Sequence, residues 1–258
     1  VAVLLGLLVC FASVALLRPV PDLAEEELRE GLYPAPKWFP ELLRGLPRTG
    51  LTSEQREALQ RDGVIVVRGV LQEPTVLHAL KSTWQTGDWR VKIGDWSFNG
   101  VYRSLVRDGP LGALAASALN ASAVRIVSSD VFDNQGGHPG GFVPSGPPQG
   151  GLHLDLDSTV GYLLPLLTVW LALTDSDRPV EFLRESHRTN LKHDCPYGPH
   201  LDLNHSCISK LLEEAGEERQ RLGWDVKAGD ALIFFSQLYH RTVLQEKPRT
   251  AVSLRFVD

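Results

Sequence analysis

The pattern of apolar and polar positions divides the chain near residue 50. Val1 to Leu17 is an unbroken apolar run of seventeen residues, with no charge before Arg18. As a helix it would rise about 26 Å, a little less than the roughly 30 Å hydrocarbon layer of a bilayer. The run predicts a single membrane anchor over 1–17. A cleaved signal peptide, with Ala12-Ser13-Val14-Ala15 nearest to a cleavage site, is the alternative, and a buried core helix is the third reading. The chain begins without methionine and contains none, so its start is expected to be truncated, with upstream residues completing the span. Residues 18–50 read as a linker. An acidic helix-like run, Leu23 to Gly31, is followed by Pro34, Pro36, Pro40 and Pro47, a stretch too interrupted for regular structure.

From Leu51 onward the periodicity alternates between helix and strand. Thr52 and Gln55 form a capping pair that opens a helix, and Pro74 opens a second that runs to about Trp84. Ala123 to Phe132 reads as a strand. Gly151 to Asp157 alternates strictly, the signature of a half-buried strand. Side chains two apart share a face, so His153 and Asp155 point together, with Leu152, Leu154 and Leu156 behind them. Lys227-Ala228-Gly229-Asp230 is a turn feeding an apolar strand that ends near Tyr239-His240. After Pro248 comes a last strand. One face holds Thr250, Val252, Leu254 and Phe256. The other holds Arg249, Ala251, Ser253 and Arg255, where small residues leave room beside two cations. A barrel interior with an anion site fits that face; arginines solvating an edge strand fit it too. Asn134–Gly150 is rich in glycine and proline and reads as a loop, with a lid over a substrate entrance as its functional reading. Ser209–Arg221 reads as a charged surface helix. Residues 51–258 suit one domain.

Composition bounds the partners. A net charge of −5 and the lack of a basic stripe exclude nucleic acid as the main ligand. With Cys10 in the apolar run, Cys195 and Cys207 remain for the domain, as free thiols or as a disulfide in an oxidising lumen. Asn120-Ala121-Ser122 and Asn204-His205-Ser206 match the glycosylation acceptor pattern. These features lean towards a lumenal domain. Trp84, Trp89, Trp96 and Tyr162 read as packing residues, as does Trp170. Lys92 is weighed and set aside as a contact to a substrate acid.

Candidate chemistry lies in His153, Asp155, His240 and Arg249. Two imidazoles and one carboxylate suit a ferrous ion bound on one face, with positions left for substrate and oxygen. An arginine nine residues after the second histidine suits a two-point grip on a carboxylate of an organic co-substrate. A second histidine–aspartate pair, His200 and Asp202, sits among turn formers and too close to His240 for several strands to intervene. His193, His200 and His205 read as exposed loop residues.

From about Leu51 to Asp258 the chain resembles the phytanoyl-CoA dioxygenase family of iron(II)- and 2-oxoglutarate-dependent oxygenases. Leu51 to Glu57 and Asp62 to Leu71 are similar to that family's first helix and strand. Val169 to Asp175, followed by Val180 to Arg188, is similar to its central region, and Gly229-Asp230 through His240 and Arg249 to its closing strands. The resemblance implies a mainly β fold with flanking helices, a double-stranded β-helix (jelly roll, cupin-like). It implies His153, Asp155 and His240 as iron ligands, Arg249 as partner of the distal oxoglutarate carboxylate, and Thr242 as a hydroxyl touching that carboxylate. The cofactors implied are Fe(2+), 2-oxoglutarate and O₂, and the reaction is substrate hydroxylation coupled to oxidative decarboxylation. The presence of Asp155 argues against the halogenating relatives. The sequence departs from the family's pattern where Asp177-Arg178-Pro179 replaces a glycine-rich turn, and where Arg184-Glu185-Ser186-His187 replaces Pro-Gly-Ser-His. A small-molecule or lipid-like substrate is expected, but fold does not choose its class. The rivals are a catalytically silent, membrane-tethered binding module and a zinc hydrolase using the same three ligands.

Overall fold

The structure is a computed structural model that describes residues 35–82, 91–93, 99–134, 155, 166–188, 221–243 and 247–258. The apolar segment 1–17, His153, Cys195, Cys207, Trp84, Trp89, Trp96, Tyr162 and the Asn204 acceptor lie outside the described residues. Among the described residues, no helix is long and apolar enough to cross a membrane.

Helix α1 (Trp38–Arg44) forms where the prolines were expected to forbid regular structure. Pro40 lies in the first turn, whose N–H groups have no intrahelical partner, and Pro36 and Pro47 lie outside the helix, so no internal hydrogen bond is lost. Phe39 and Leu43 are fully buried in the main core. The core therefore reaches back into the stretch read as linker. Helix α2 (Ser53–Asp62) opens on the expected capping box. The Gln55 N–H donates to Thr52 Oγ1 (3.2 Å), and the Thr52 N–H donates to Gln55 Oε1 (2.9 Å).

Strand β1 (Val64–Val67), helix α3 (Pro74–Ser82), strand β2 (Val91–Ile93) and helices α4 (Gly100–Asp108) and α5 (Leu111–Leu119) follow. The remaining strands are β3 (Arg125–Asn134), β4 (Leu167–Ala172), β5 (Val180–Leu183), β6 (Arg221–Leu222), β7 (Ala231–Phe235), β8 (His240–Thr242) and β9 (Arg249–Val257). Among the described residues they form a six-stranded sheet, in the order β1-β7-β4-β9-β3-β2, and a three-stranded sheet, β6-β5-β8. Every pairing is antiparallel.

The two faces of β9 separate as its alternation predicts. Val252, Leu254 and Phe256 join Val169 and Leu171 of β4, Ile233 of β7 and helical residues such as Leu105 and Leu114. Ala251 faces the other way, into a second core shared by Trp170, Leu232, Phe234, Val180 and Phe182. That core lies between the sheets. Because β9 runs between β4 and β3, it is a central strand, and the edge-strand reading of its arginines fails. Arg249 and Arg255 are only 4% and 6% exposed.

Two expectations are corrected here. The apolar strand ends at Phe235, not near His240. A turn over Ser236–Tyr239 carries the chain from the large sheet to the small one, where His240 begins β8. The Ser236 N–H donates to Leu166 O (3.0 Å), which ties down the start of this crossing. Arg221 is part of β6, so it does not close a surface helix.

The Gly229-Asp230 pair is structural. Gly229 has φ +91, and a Cβ there would lie 2.0 Å from Leu71 O, so only glycine fits. Asp230 Oδ1 accepts from the Gly69 N–H (2.8 Å), while Oδ2 accepts from the Lys227 N–H (2.9 Å) and Arg68 Nη1 (2.8 Å). Burial alone would raise this carboxyl, but the two backbone N–H groups and Arg68 together hold it below the usual carboxylate range. A folded-state value below the unfolded one stabilises the protein above the unfolded pKa of about 3.9, and that contribution is lost as pH falls through the folded value. Asp230→Ala is expected to cost about 2 kcal/mol at pH 7, because it strands two backbone donors. Urea denaturation at pH 7 and pH 3 checks this, with the difference between variant and wild type shrinking at the lower pH.

Both departures from the family pattern fall where the backbone is left-handed. Arg178 has φ +45 and Glu185 has φ +63. L-residues with a Cβ pay roughly 1–2 kcal/mol in that region. Glu185→Gly is expected to raise stability by about 1 kcal/mol, read as a rise in Tm, since its N–H and C=O bonds to Asp62 O and Arg188 N do not involve the side chain.

Candidate active site

The second core encloses a cavity of about 50 Å³ between the sheets. Phe132, Trp170, Val180 and Phe234 give it apolar walls, and Asp155, His240, Thr242, Arg249 and Ser253 give it polar ones. Four of the five residues singled out from the sequence thus meet in one place. The fifth, His153, lies outside the described residues. Asp155 is the described part of its stretch; it lies in a 3₁₀ turn rather than an extended strand.

His240 enters from β8, 6% exposed. Its imidazole rests against Phe234 and Phe182, at centroid distances of 4.8 and 5.8 Å. Nδ1 lies 3.0 Å from Leu238 O, an acceptor only, so Nδ1 is the donor there and, in the neutral tautomer, Nε2 is the nitrogen with the lone pair. Nε2 is 3.6 Å from Asp155 Oδ1. Donors at roughly 2.0–2.2 Å from one ion lie no more than about 4.3 Å apart, so these two atoms can share a cation. The tautomer suits it as well, since a ligating histidine ordinarily gives its other N–H to a carbonyl. Among the described residues, no group of three or more histidine, cysteine or acidic side chains is placed to hold a metal.

The Asp155 carboxylate is held from two sides. Oδ2 accepts from Thr168 Oγ1 (2.7 Å), itself 3.0 Å from Ser236 Oγ. Oδ1 accepts from Arg255 Nη2 (2.9 Å). The other arm of Arg255, Nη1, pairs with Asp130 on β3 and donates to Ser128 Oγ (3.2 Å). Burial would lower the Arg255 pKa, but Asp155 and Asp130 raise it above the usual arginine range, so the guanidinium is charged.

Arg249 is placed differently. Nη1 donates to Pro179 O (2.8 Å), while Nε is buried without a hydrogen-bond partner among the described residues. Burial pushes its pKa down to about 10, which still leaves a cation at neutral pH. A buried guanidinium on a cavity wall, with no carboxylate partner among the described residues, is able to hold an anion. Thr242 and Ser253 bring hydroxyls to the same cavity.

Sequence reasoning missed Thr168, Ser236, Asp130 and the partners of Arg255. The signal for Thr168 was a lone hydroxyl in the wholly buried strand β4. Asp130 had no comparable signal, because its role depends on β9 pairing beside it, Asp130 opposite Ser253.

Fold and cavity together define a β protein with a partly polar pocket, lined by Asp155, His240 and Arg249, between two antiparallel sheets. The sequence model of the family described as "Phytanoyl-CoA dioxygenase (PhyH)" matches residues 59–244. The chain belongs to the phytanoyl-CoA dioxygenase family, and by class it is an iron(II)- and 2-oxoglutarate-dependent oxygenase. No curated protein matches it in sequence. Among solved structures it is similar to SnoK, a non-heme α-ketoglutarate-dependent carbocyclase of nogalamycin biosynthesis, with 18% identity, TM-score 0.62, and 81% of this chain and 84% of that one covered. EctD from S. alaskensis, in its apo form, gives 16% identity, TM-score 0.59 and coverage of 80% and 77%. HygX from Streptomyces hygroscopicus, with nickel and 2-oxoglutarate bound, gives 19% identity, TM-score 0.57 and coverage of 80% and 87%. The shared fold is cupin-like.

Proposed function

We propose that this protein hydroxylates a small-molecule or lipid-like substrate, with the two sheets forming a double-stranded β-helix around the reaction site. His153, Asp155 and His240 would hold iron(II), and Arg249 with Thr242 would hold the distal carboxylate of 2-oxoglutarate. The observation that carries this reading is Arg249, a buried cation without a carboxylate partner among the described residues, lining the same cavity as two donors 3.6 Å apart. Bound iron would supply activation of O₂, coupled to oxidative decarboxylation of the keto acid to succinate and CO₂.

The chain's own part is positioning and exclusion. Leu238 O accepts from Nδ1 and so orients the imidazole with Nε2 towards Asp155. Pro179 O holds one arm of Arg249 and so aims the rest of the guanidinium. Phe132, Trp170, Val180 and Phe234 keep water from the polar end. Structures of SnoN with nogalamycin RO and of HygX with hygromycin B support a small-molecule substrate. The apolar run 1–17 supports placement at a membrane, and Cys195, Cys207 and the two Asn-X-Ser patterns favour a domain facing a lumen; removing the run is expected to move the protein from the membrane fraction to the supernatant.

The purified protein is tested with ferrous iron, 2-oxoglutarate and O₂, measuring succinate with and without candidate substrates. Succinate that needs all three components is expected. Iron retention without any succinate would favour a silent binding module, and no iron retention would remove the proposal.

A further inference from the structure

The two oxygens of Asp155 are not equivalent, and the difference is built by residues that the reading above does not use. Oδ1 faces His240 Nε2, while Oδ2 turns into a fully buried hydroxyl chain of Thr168 and Ser236. Arg255 Nη2, from β9, also reaches Oδ1, and its other arm is anchored by Asp130 and Ser128. We propose that Thr168 and Arg255, the latter balanced by Asp130, are positioning residues that restrict Asp155 to a single donor oxygen. This rests on the reading of Asp155 as a metal ligand.

Two physical arguments support it. First, a carboxylate that chelates through both oxygens occupies two coordination positions, whereas two imidazoles and one oxygen leave positions for a co-substrate and O₂. Thr168 takes one Oδ2 acceptor site with a 2.7 Å hydrogen bond, which disfavours Oδ2 as a second donor to a metal, and Ser236 orients Thr168. Second, charge: a lone Arg255 beside Asp155 would cancel the carboxylate and repel a divalent ion. With Asp130 on its far side, where burial holds that carboxyl above the usual range, the guanidinium is shared between two acidic side chains and Asp155 gains a hydrogen-bonded clamp. A purely structural ion pair would have no need to end on the oxygen that faces His240.

Cobalt(II) is the probe, since its visible absorption weakens as coordination number rises. The full chain is titrated with cobalt, and then with 2-oxoglutarate, as wild type, Thr168→Val, Arg255→Lys and the paired Asp130→Asn/Arg255→Gln variant, each checked for fold by circular dichroism. Thr168→Val is expected to bind cobalt with a weaker visible band than wild type and to bind 2-oxoglutarate at least about tenfold less well, within the roughly 10–100-fold range typical of outer-shell losses. The paired variant is expected to lose about 10–100-fold in cobalt affinity, and Arg255→Lys to recover most of it. Folded variants with wild-type affinity and an unchanged spectrum overturn the proposal. If the paired variant does not fold, Thr168→Val, which replaces a hydroxyl by a methyl, decides alone. A wild type that binds no cobalt removes Asp155 as a ligand and this inference with it, whereas a binding wild type with indifferent variants removes only the inference.

Discussion

Arg249→Met is expected to abolish the response to 2-oxoglutarate and, at the same time, to make the ligand-free protein more stable. Arg249 is only 4% exposed, its Nε lacks a partner among the described residues, and burial has pushed its pKa down to about 10. A charge held in this way opposes folding until an anion arrives. Methionine fills similar volume without the charge, and Pro179 O keeps its bond from the Val243 N–H. The ligand-free gain should be about 1 kcal/mol, in the range found when a functional strain is removed. Wild type should show a Tm that climbs with 2-oxoglutarate, by roughly 2.7 kcal/mol of stabilisation at a hundredfold excess over Kd. The methionine variant should show none. Differential scanning fluorimetry across a 2-oxoglutarate series reads both effects; a wild type indifferent to the diacid, or a variant that still responds, would contradict the assignment. Arg249→Lys should lie between, because an ammonium keeps the charge but not the two-point grip.

His240→Ala carries the second large effect. It removes the lone pair of Nε2, and the loss in metal affinity should exceed the roughly 10–100-fold typical of outer-shell partners. Turnover to succinate should fall to background. The fold should survive: Phe182 and Phe234 pack on each other at 5.0 Å independently of the imidazole. His240→Gln keeps more volume and a weak donor, so equal loss in both variants would point to the imidazole itself. Iron content per chain after gel filtration and succinate release are measured together. A variant that retains iron at the wild-type level would exclude His240 as a ligand.

Much of the site was legible in sequence because strand alternation is a local property of the backbone. Once 249–256 is extended, Arg249 and Arg255 must share a face with Ala251 and Ser253, whatever lies around them. The capping box at Thr52 was legible for the same reason, since its two bonds span three residues. Where reading failed, the deciding interaction was not local. Pro36, Pro40 and Pro47 suggested a disordered lead-in, yet burial of Phe39 and Leu43 against the core drew a helix from it. The apolar run after Asp230 pointed to one strand reaching His240. A turn anchored on Leu166 broke it and gave His240 to the other sheet.

The sequence by itself determined the donor types, their order along the chain and, for β9, the side of the strand that Arg249 occupies, since these follow from residue identity and a two-residue period. Only the tertiary structure decided the company they keep. Asp155 and Arg255 stand 100 residues apart, and Asp130 and Arg255 stand 125 apart. Their meeting depends on β9 pairing between β3 and β4. Strand order is set by how the whole chain buries its apolar faces, and no short window of sequence contains that balance.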